Sequence, residues 1–361
     1  MLKKTVRLLW RNKLYIFLFI FIVGINAAPL VIKKFPHKKQ VLDDYKIHSN
    51  KADSVQSNYI FSSDGAKERA SRFDGIAKKN PVLYIFIALA NLCIFLFLLI
   101  GIFVDGYLLK MVIKKEPLEI KTHELAHPVW NIMDVVKVSI IFLFLGYVFV
   151  LIEVFLIKIF PFLKNENLLM VLNTTAVNTF GIGVIFYFVL KKYKQRLEDL
   201  GITCKKFFYN VFYAVVGYLA LIPIVLVIMS VTFFAVKWLQ YEPPVQPIVE
   251  LFLLEKQTSV LWISAIFAAI FGPLAEEIFF RAFLYSAVKR VTGALGAIII
   301  TSFIFSVLHI HIVGFLPIFV LGFLLSYLYE KTGSLVSSIT VHIIHNLAML
   351  LLVFLARAIG V

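Results

Sequence analysis

The sequence predicts an all-α, polytopic integral membrane protein, on three observations. Of 361 residues, 61% are hydrophobic and only 16% charged, and the mean hydropathy is +0.90, which excludes an ordinary soluble fold. Apolar runs of about 20 residues, enough to cross a hydrocarbon core of roughly 30 Å, recur along the whole chain. The 36 Lys and Arg outnumber the 21 Asp and Glu, leaving a net charge of +15 that lies between the runs rather than in them. Such a balance points to membrane lipids as partners and not to nucleic acid. Cys93 in an apolar run and Cys204 in a basic loop build no disulfide framework.

Taken in order, nine spans are expected, at approximately 14–32, 82–104, 135–160, 168–190, 207–237, 259–288, 293–312, 314–330 and 334–356. All should be helical, because a backbone inside lipid must satisfy its own polar groups. The first is long enough to span and lacks a clean small-residue cleavage site, so it reads as a retained helix rather than a signal peptide. Lys3, Lys4, Arg7, Arg11 and Lys13 precede it. Lys110, Lys114, Lys115 and Lys121 follow the second span, and Lys191, Lys192, Lys194, Arg196, Lys205 and Lys206 follow the fourth. The positive-inside bias makes these segments and the N-terminus cytoplasmic, with Lys289-Arg290 and Lys331 on the same side. The Lys-, Ile- and Phe-rich composition hints at an AT-rich bacterial genome, hence a bacterial cytoplasmic membrane.

Residues 33–80 form the only long polar stretch and are expected as an extracytoplasmic loop. The strip Tyr241-Glu-Pro-Pro-Val-Gln-Pro247 breaks any helix between spans five and six. Composition changes after it: from Leu261 onward the only acids are Glu276, Glu277 and Glu330. The expected partition is a four-span N-terminal region, 1–194, and a site-bearing domain, 195–361.

Span six reads Phe271-Gly-Pro-Leu-Ala-Glu276-Glu277-Ile-Phe-Phe-Arg281, two carboxylates and a guanidinium in an apolar helix, where ionisable groups mark functional sites by default. Arg281 lies four residues after Glu277 and so shares its face, while Glu276 points about 100° away without an in-helix partner. A structural ion triad is the rival explanation of this triplet alone. The next span ends Phe305-Ser-Val-Leu-His309, with His311 just beyond, and a lone buried His is as readily a packing residue. Span nine supplies His342 and Asn346 on one face, with His345 offset by about 60°, a pattern that an interhelical hydrogen bond would also explain. At about 1.5 Å per residue from the cytoplasmic anchors, Glu276 lies ~20 Å deep, His309 ~25 Å and His342 ~16 Å, compatible with one pocket.

Glu276-Glu277-x-x-x-Arg281, Phe305-x-x-x-His309 and His342-x-x-x-Asn346, in this order on separate spans, resemble the CPBP family of intramembrane proteases. That family comprises CAAX proteases and bacteriocin-processing or immunity proteins, is also called Abi, and has the Ras-converting CAAX endopeptidase as type member. The resemblance covers about 195 to 356, beginning near Leu197-Glu-Asp-Leu-Gly-Ile202. It implies an endopeptidase in which Glu276 and His309 activate a water, His342 and Asn346 stabilise the oxyanion, and Glu277 and Arg281 hold the helix and orient Glu276. It also implies a peptide or lipidated protein as substrate, prenylated in the type member and peptide-pheromone-like in others. Glu276, His309 and His342 make a donor set that suits zinc, and the family is often named as metalloproteases, but the same residues serve a metal-free glutamate mechanism equally well. Nothing in the sequence speaks to oligomeric state.

Two other classes compete. His123-Glu124-Leu-Ala-His127 fits the zincin His-Glu-x-x-His pattern, but Pro128 disfavours helical geometry at His127 and no convincing third ligand follows. A non-catalytic scaffold or immunity protein of the same family would ordinarily lack one of Glu276, His309, His342 or Asn346, and all four are present. A transporter would show inverted repeats, and none is visible.

Overall fold

The computed structural model describes residues 12–32, 75, 80–115, 128–241, 243 and 245–359. The expected loop at 33–80 lies outside them except for residues 75 and 80, as does the whole His123-Glu124-Leu-Ala-His127 string. All regular structure in the described residues is helical. Contacts divide the chain into two compact units, Met1–Ala88 and Leu89–Val361. The first holds α1 (Lys13–Ile32) and the start of α2 (Pro81–Lys114). The second continues with α3 (Ile132–Ile159), α4 (Glu166–Phe186, widened into a final turn Tyr187–Lys192), α5 (Phe207–Trp238) and the short α6 (Pro247–Leu254). A helical run Thr258–Leu308 follows, then α9 (Phe315–Thr332) and α10 (Leu335–Ile359).

Seven helices among the described residues are long and apolar enough to cross a membrane, so the expected count of nine is not confirmed. Thr258–Leu308 takes in two expected spans at once. This run of 51 residues is not straight. A straight helix would hold Phe280 and Phe305 roughly 37 Å apart, yet their ring centres are 5.0 Å apart. The chain reverses at Gly293, whose φ of 74° and ψ of 178° belong to backbone that only glycine enters readily. Residues 258–292 are therefore α7 and 294–308 α8, two arms lying side by side. The short α6 was not expected: eight residues are too few to span, and Pro247 starts them at a first-turn position where its missing N–H costs nothing.

From α3 onward the helices alternate between two ends. At one, Asn131 caps α3 reciprocally with Asp134, and Asp134 accepts from Lys192 Nζ at 2.7 Å and from the Tyr193 hydroxyl. There Trp130 Nε1 donates to the Phe283 carbonyl at 2.9 Å, Arg290 holds the Val129 and Trp130 carbonyls, and Lys289 and Tyr285 both bond Glu330 of α9. The Leu197–Leu200 turn closes on Gly201, which at φ 73° lets its carbonyl accept from Leu335 N at the start of α10.

The core between these ends is apolar, with Trp130, Ile185, Phe283 and Phe305 buried in it, but it also takes in small polar residues. Phe, Leu and Ile crowd the outer surface, whereas Ser264, Thr301, Ser302, Ser306, Ser326, Ser337 and Ser338 are buried between helices. Lipid is as apolar as leucine, so helices associate by close backbone approach and interhelical hydrogen bonds, which small polar residues allow. Gly322 of α9 illustrates it: a Cβ there would stand 3.3 Å from Phe305 and Ser302 of α8.

At the opposite end, Glu255 is a buried knot. Its Oε2 accepts from Asn167 at 2.7 Å and Asn165 at 3.3 Å, its Oε1 from the N–H groups of Lys256 and Gln257 at 2.8 Å. Arg357 of α10 donates to the Phe252 and Glu255 carbonyls. The hydrogen bond from Asn167, followed by that from Gln257, holds the Glu255 carboxyl below the usual carboxylate range. A lowered native pKa contributes stability above the unfolded value, and that contribution disappears as pH falls through the native one. Melting temperature in detergent should drop between about pH 6 and about pH 3, and Glu255→Gln should flatten part of that slope. Gly293→Ala should destabilise by about 1–3 kcal/mol through backbone strain alone, since a Cβ there meets nothing within 4 Å; a melting curve indistinguishable from wild type would contradict the reversal.

Candidate active site

α7 reaches the site as an irregular helix. Wide turns at Phe267–Phe271 and Ile278–Tyr285 flank the regular segment Gly272–Glu277, an arrangement that recurs at functional sites. Through the second wide turn the buried face carries Ile278, Phe280, Arg281, Phe283 and Tyr285.

Glu277 and Arg281 are both fully buried, and a buried charge must be paired. Arg281 Nη1 donates to Glu277 Oε1 at 2.8 Å, and Nη2 donates to the Gly322 carbonyl at 3.3 Å. The guanidinium also lies 4.5 Å from the centre of the Phe305 ring, a favourable cation–π distance. Glu277 Oε1 has a second partner that spacing did not reveal, His342 Nδ1 of α10, at 2.8 Å. The carboxylate accepts, so Nδ1 carries the hydrogen and Nε2 is left for other work. Glu277 thus holds His342 in addition to Arg281.

Glu276 is different in kind. Its side chain is 34% exposed, and its Oε2 is buried, makes no hydrogen bond and lies 3.8 Å from His342 Nε2. Asn346, one turn beyond His342, donates through Nδ2 to the Ala268 carbonyl of α7 at 2.8 Å.

His309 was expected inside a span reaching 312 but closes α8, because Ile310 takes a left-handed φ of 49° that no helix continues through. Its Nδ1 donates to the Phe305 carbonyl at 2.7 Å, again leaving Nε2 with the lone pair in the neutral ring. His309 and His342 flank the same aromatic ring, at 4.5 and 5.7 Å from the centre of Phe305. Phe305, which sequence spacing supplied only as a motif letter, is therefore the body around which Arg281 and both imidazoles are arranged. His311 accepts from Gly314 N in the α8–α9 loop, and His345 meets the Tyr218 hydroxyl of α5 at 3.4 Å. Tyr218 is one of three tyrosines in its apolar span, and nothing in the sequence marked it as the one that would face this cluster.

Among the described residues no three His, Cys, Asp or Glu side chains are gathered to hold a metal ion. His309 and His342 each commit Nδ1 and keep Nε2, the usual ligand atom of a metal-bound histidine, but Glu276, His309 and His342 are not gathered closely enough to hold one ion.

Fold and site define a class: an all-α integral membrane protein with glutamate, histidine and asparagine side chains from three helices meeting within the bundle. Residues 258–348, from the start of α7 to just past Asn346, match the family model for the type II CAAX prenyl endopeptidase Rce1-like proteins, in keeping with the CPBP resemblance. No curated protein and no solved structure matches the chain.

Removing Glu277 would strand a buried guanidinium. Glu277→Ala should cost roughly 3–5 kcal/mol, whereas Glu276→Ala, at a partly exposed carboxylate without hydrogen bonds, should leave the melting temperature near wild type; equal losses in the two variants would contradict this division.

Proposed function

We propose that the chain is an intramembrane endopeptidase whose chemistry is carried by residues 195–361. Glu276 acts as general base on a water, His309 assists through Nε2, and His342 and Asn346 stabilise the oxyanion. The observation that supports it best is the free Oε2 of Glu276 beside Nε2 of His342, a separation that one water bonded to both would span. Glu276 takes a proton as the water oxygen attacks the scissile carbonyl carbon. Charge collects on the carbonyl oxygen, where His342 and the second Nδ2 hydrogen of Asn346 stabilise it. Glu276 then delivers its proton to the leaving nitrogen as the carbon–nitrogen bond breaks, which restores the carboxylate.

Glu277 contributes by keeping Nδ1 of His342 occupied, so that only Nε2 faces the reaction. The part-exposed Glu276 and the exposed His309 favour a substrate reaching the site from the protein's flank. The substrate class in this reading is a membrane-associated peptide, prenylated or pheromone-like, processed in a bacterial cytoplasmic membrane with the N-terminus inside.

In nanodiscs, the purified protein should cleave lipidated peptides. Glu276→Ala should abolish cleavage at unchanged melting temperature, and His309→Ala should lower kcat by roughly 10²–10⁴-fold. Full turnover in both variants, with loss in His123→Ala or Glu124→Ala, would instead place the chemistry in the zincin-like string. A folded wild type that cleaves nothing across CAAX-type and pheromone-like peptides would favour the non-catalytic scaffold.

A further inference from the structure

We propose that Pro273 is a positioning residue for Asn346, acting through the helix hydrogen bond it cannot make. This rests on the endopeptidase reading for its catalytic consequence, but not for the contact itself.

In a regular α-helix the Ala268 carbonyl would accept from the N–H of Gly272. Here Gly272 N–H donates one residue further back, to Phe267, because Phe267–Phe271 is a wide turn with five-residue bonding. In that register the donor due to Ala268 is the N–H of residue 273, and residue 273 is proline, which has none. With Gly272 N–H turned to Phe267 and no N–H at position 273, the carbonyl is left without a helical donor, and Asn346 Nδ2 from α10 fills the place at 2.8 Å. Proline inside a spanning helix is tolerated where a neighbouring helix satisfies the freed group, and here the neighbour supplies a residue of the site.

Two things follow for Asn346. A carbonyl only accepts, so the amide must present its NH₂ to Ala268, which fixes which way round the group lies. One Nδ2 hydrogen is spent and the other remains available, on a side chain anchored at both its helix and its tip. Glu276 stands three residues after Pro273 on the same short helical segment Gly272–Glu277, so the device that orients Asn346 is built into the helix that carries the base.

Pro273→Ala returns an N–H to position 273, aimed at Ala268, and should displace Asn346. The expected signature is kcat lowered by about tenfold or more with KM unchanged, at a melting temperature equal to or above wild type. A proline with a merely structural role would lower both together. Asn346→Ala should lose both activity and a few degrees of melting temperature, since it strands the carbonyl. Adding Pro273→Ala to it should restore the melting temperature and cost no further activity. Asn346→Asp, whose carboxylate cannot donate, should melt below Asn346→Ala, and this comparison decides the contact should Pro273→Ala fail to fold. Unchanged kcat in Pro273→Ala, additive melting-temperature losses in the double variant, or equal melting of the Asp and Ala variants would each overturn the proposal. The melting measurements read the contact even in a protein that cleaves no peptide, so failure here is distinct from failure of the endopeptidase reading.

Discussion

The bundle is organised around a buried chain of charge, Arg281 to Glu277 to His342. A guanidinium and a carboxylate with no exposed surface are tolerable only as partners, and their pairing within one helix turn would satisfy each other and nothing else. The structure adds His342 from α10 and the Gly322 carbonyl from α9 to the same pair. Three helices are thereby joined by directional bonds in surroundings where apolar contact alone discriminates little between one helix face and another. Phe305 closes the arrangement from α8, its ring set against the guanidinium and both imidazoles.

This division of labour separates two adjacent glutamates. Glu277 lies deep in protein with Oε1 bonded to both Arg281 and His342; Glu276, one residue earlier and about 100° around the helix, is partly exposed and makes no hydrogen bond through Oε2. The same helix thus supplies a fixed anion that shapes the site and a free anion able to do chemistry there.

Much of this was legible in the sequence, and what was not has physical causes. The spans could be read because lipid requires long apolar runs, and most helix ends fall within a few residues of expectation. The pairing of Glu277 with Arg281 follows from four-residue spacing, which reports neighbours on one helix. That Glu277 also meets His342 depends on how α10 packs on α7, which spacing within either helix does not encode. The wide turns of α7 were hidden for a related reason: nothing but Pro273 marks them, and a proline in a run of apolar residues reads as a kink of unspecified sense. His309 was placed within a helix because Ile310 and Ile312 continue the apolar pattern; the left-handed Ile310 ends the helix in spite of its composition.

The reversal at Gly293 has a consequence for how such a chain can vary. Glu276 stands seventeen residues before it and His309 sixteen after, so the two arms are nearly equal levers about one pivot. Deleting or inserting a single residue in either arm would slide one side chain past the other by about 1.5 Å and swing it about 100° around its axis. Loops outside 276–309 are free to lengthen or shorten, but between Glu276 and His309 the count of residues is itself part of the site's geometry.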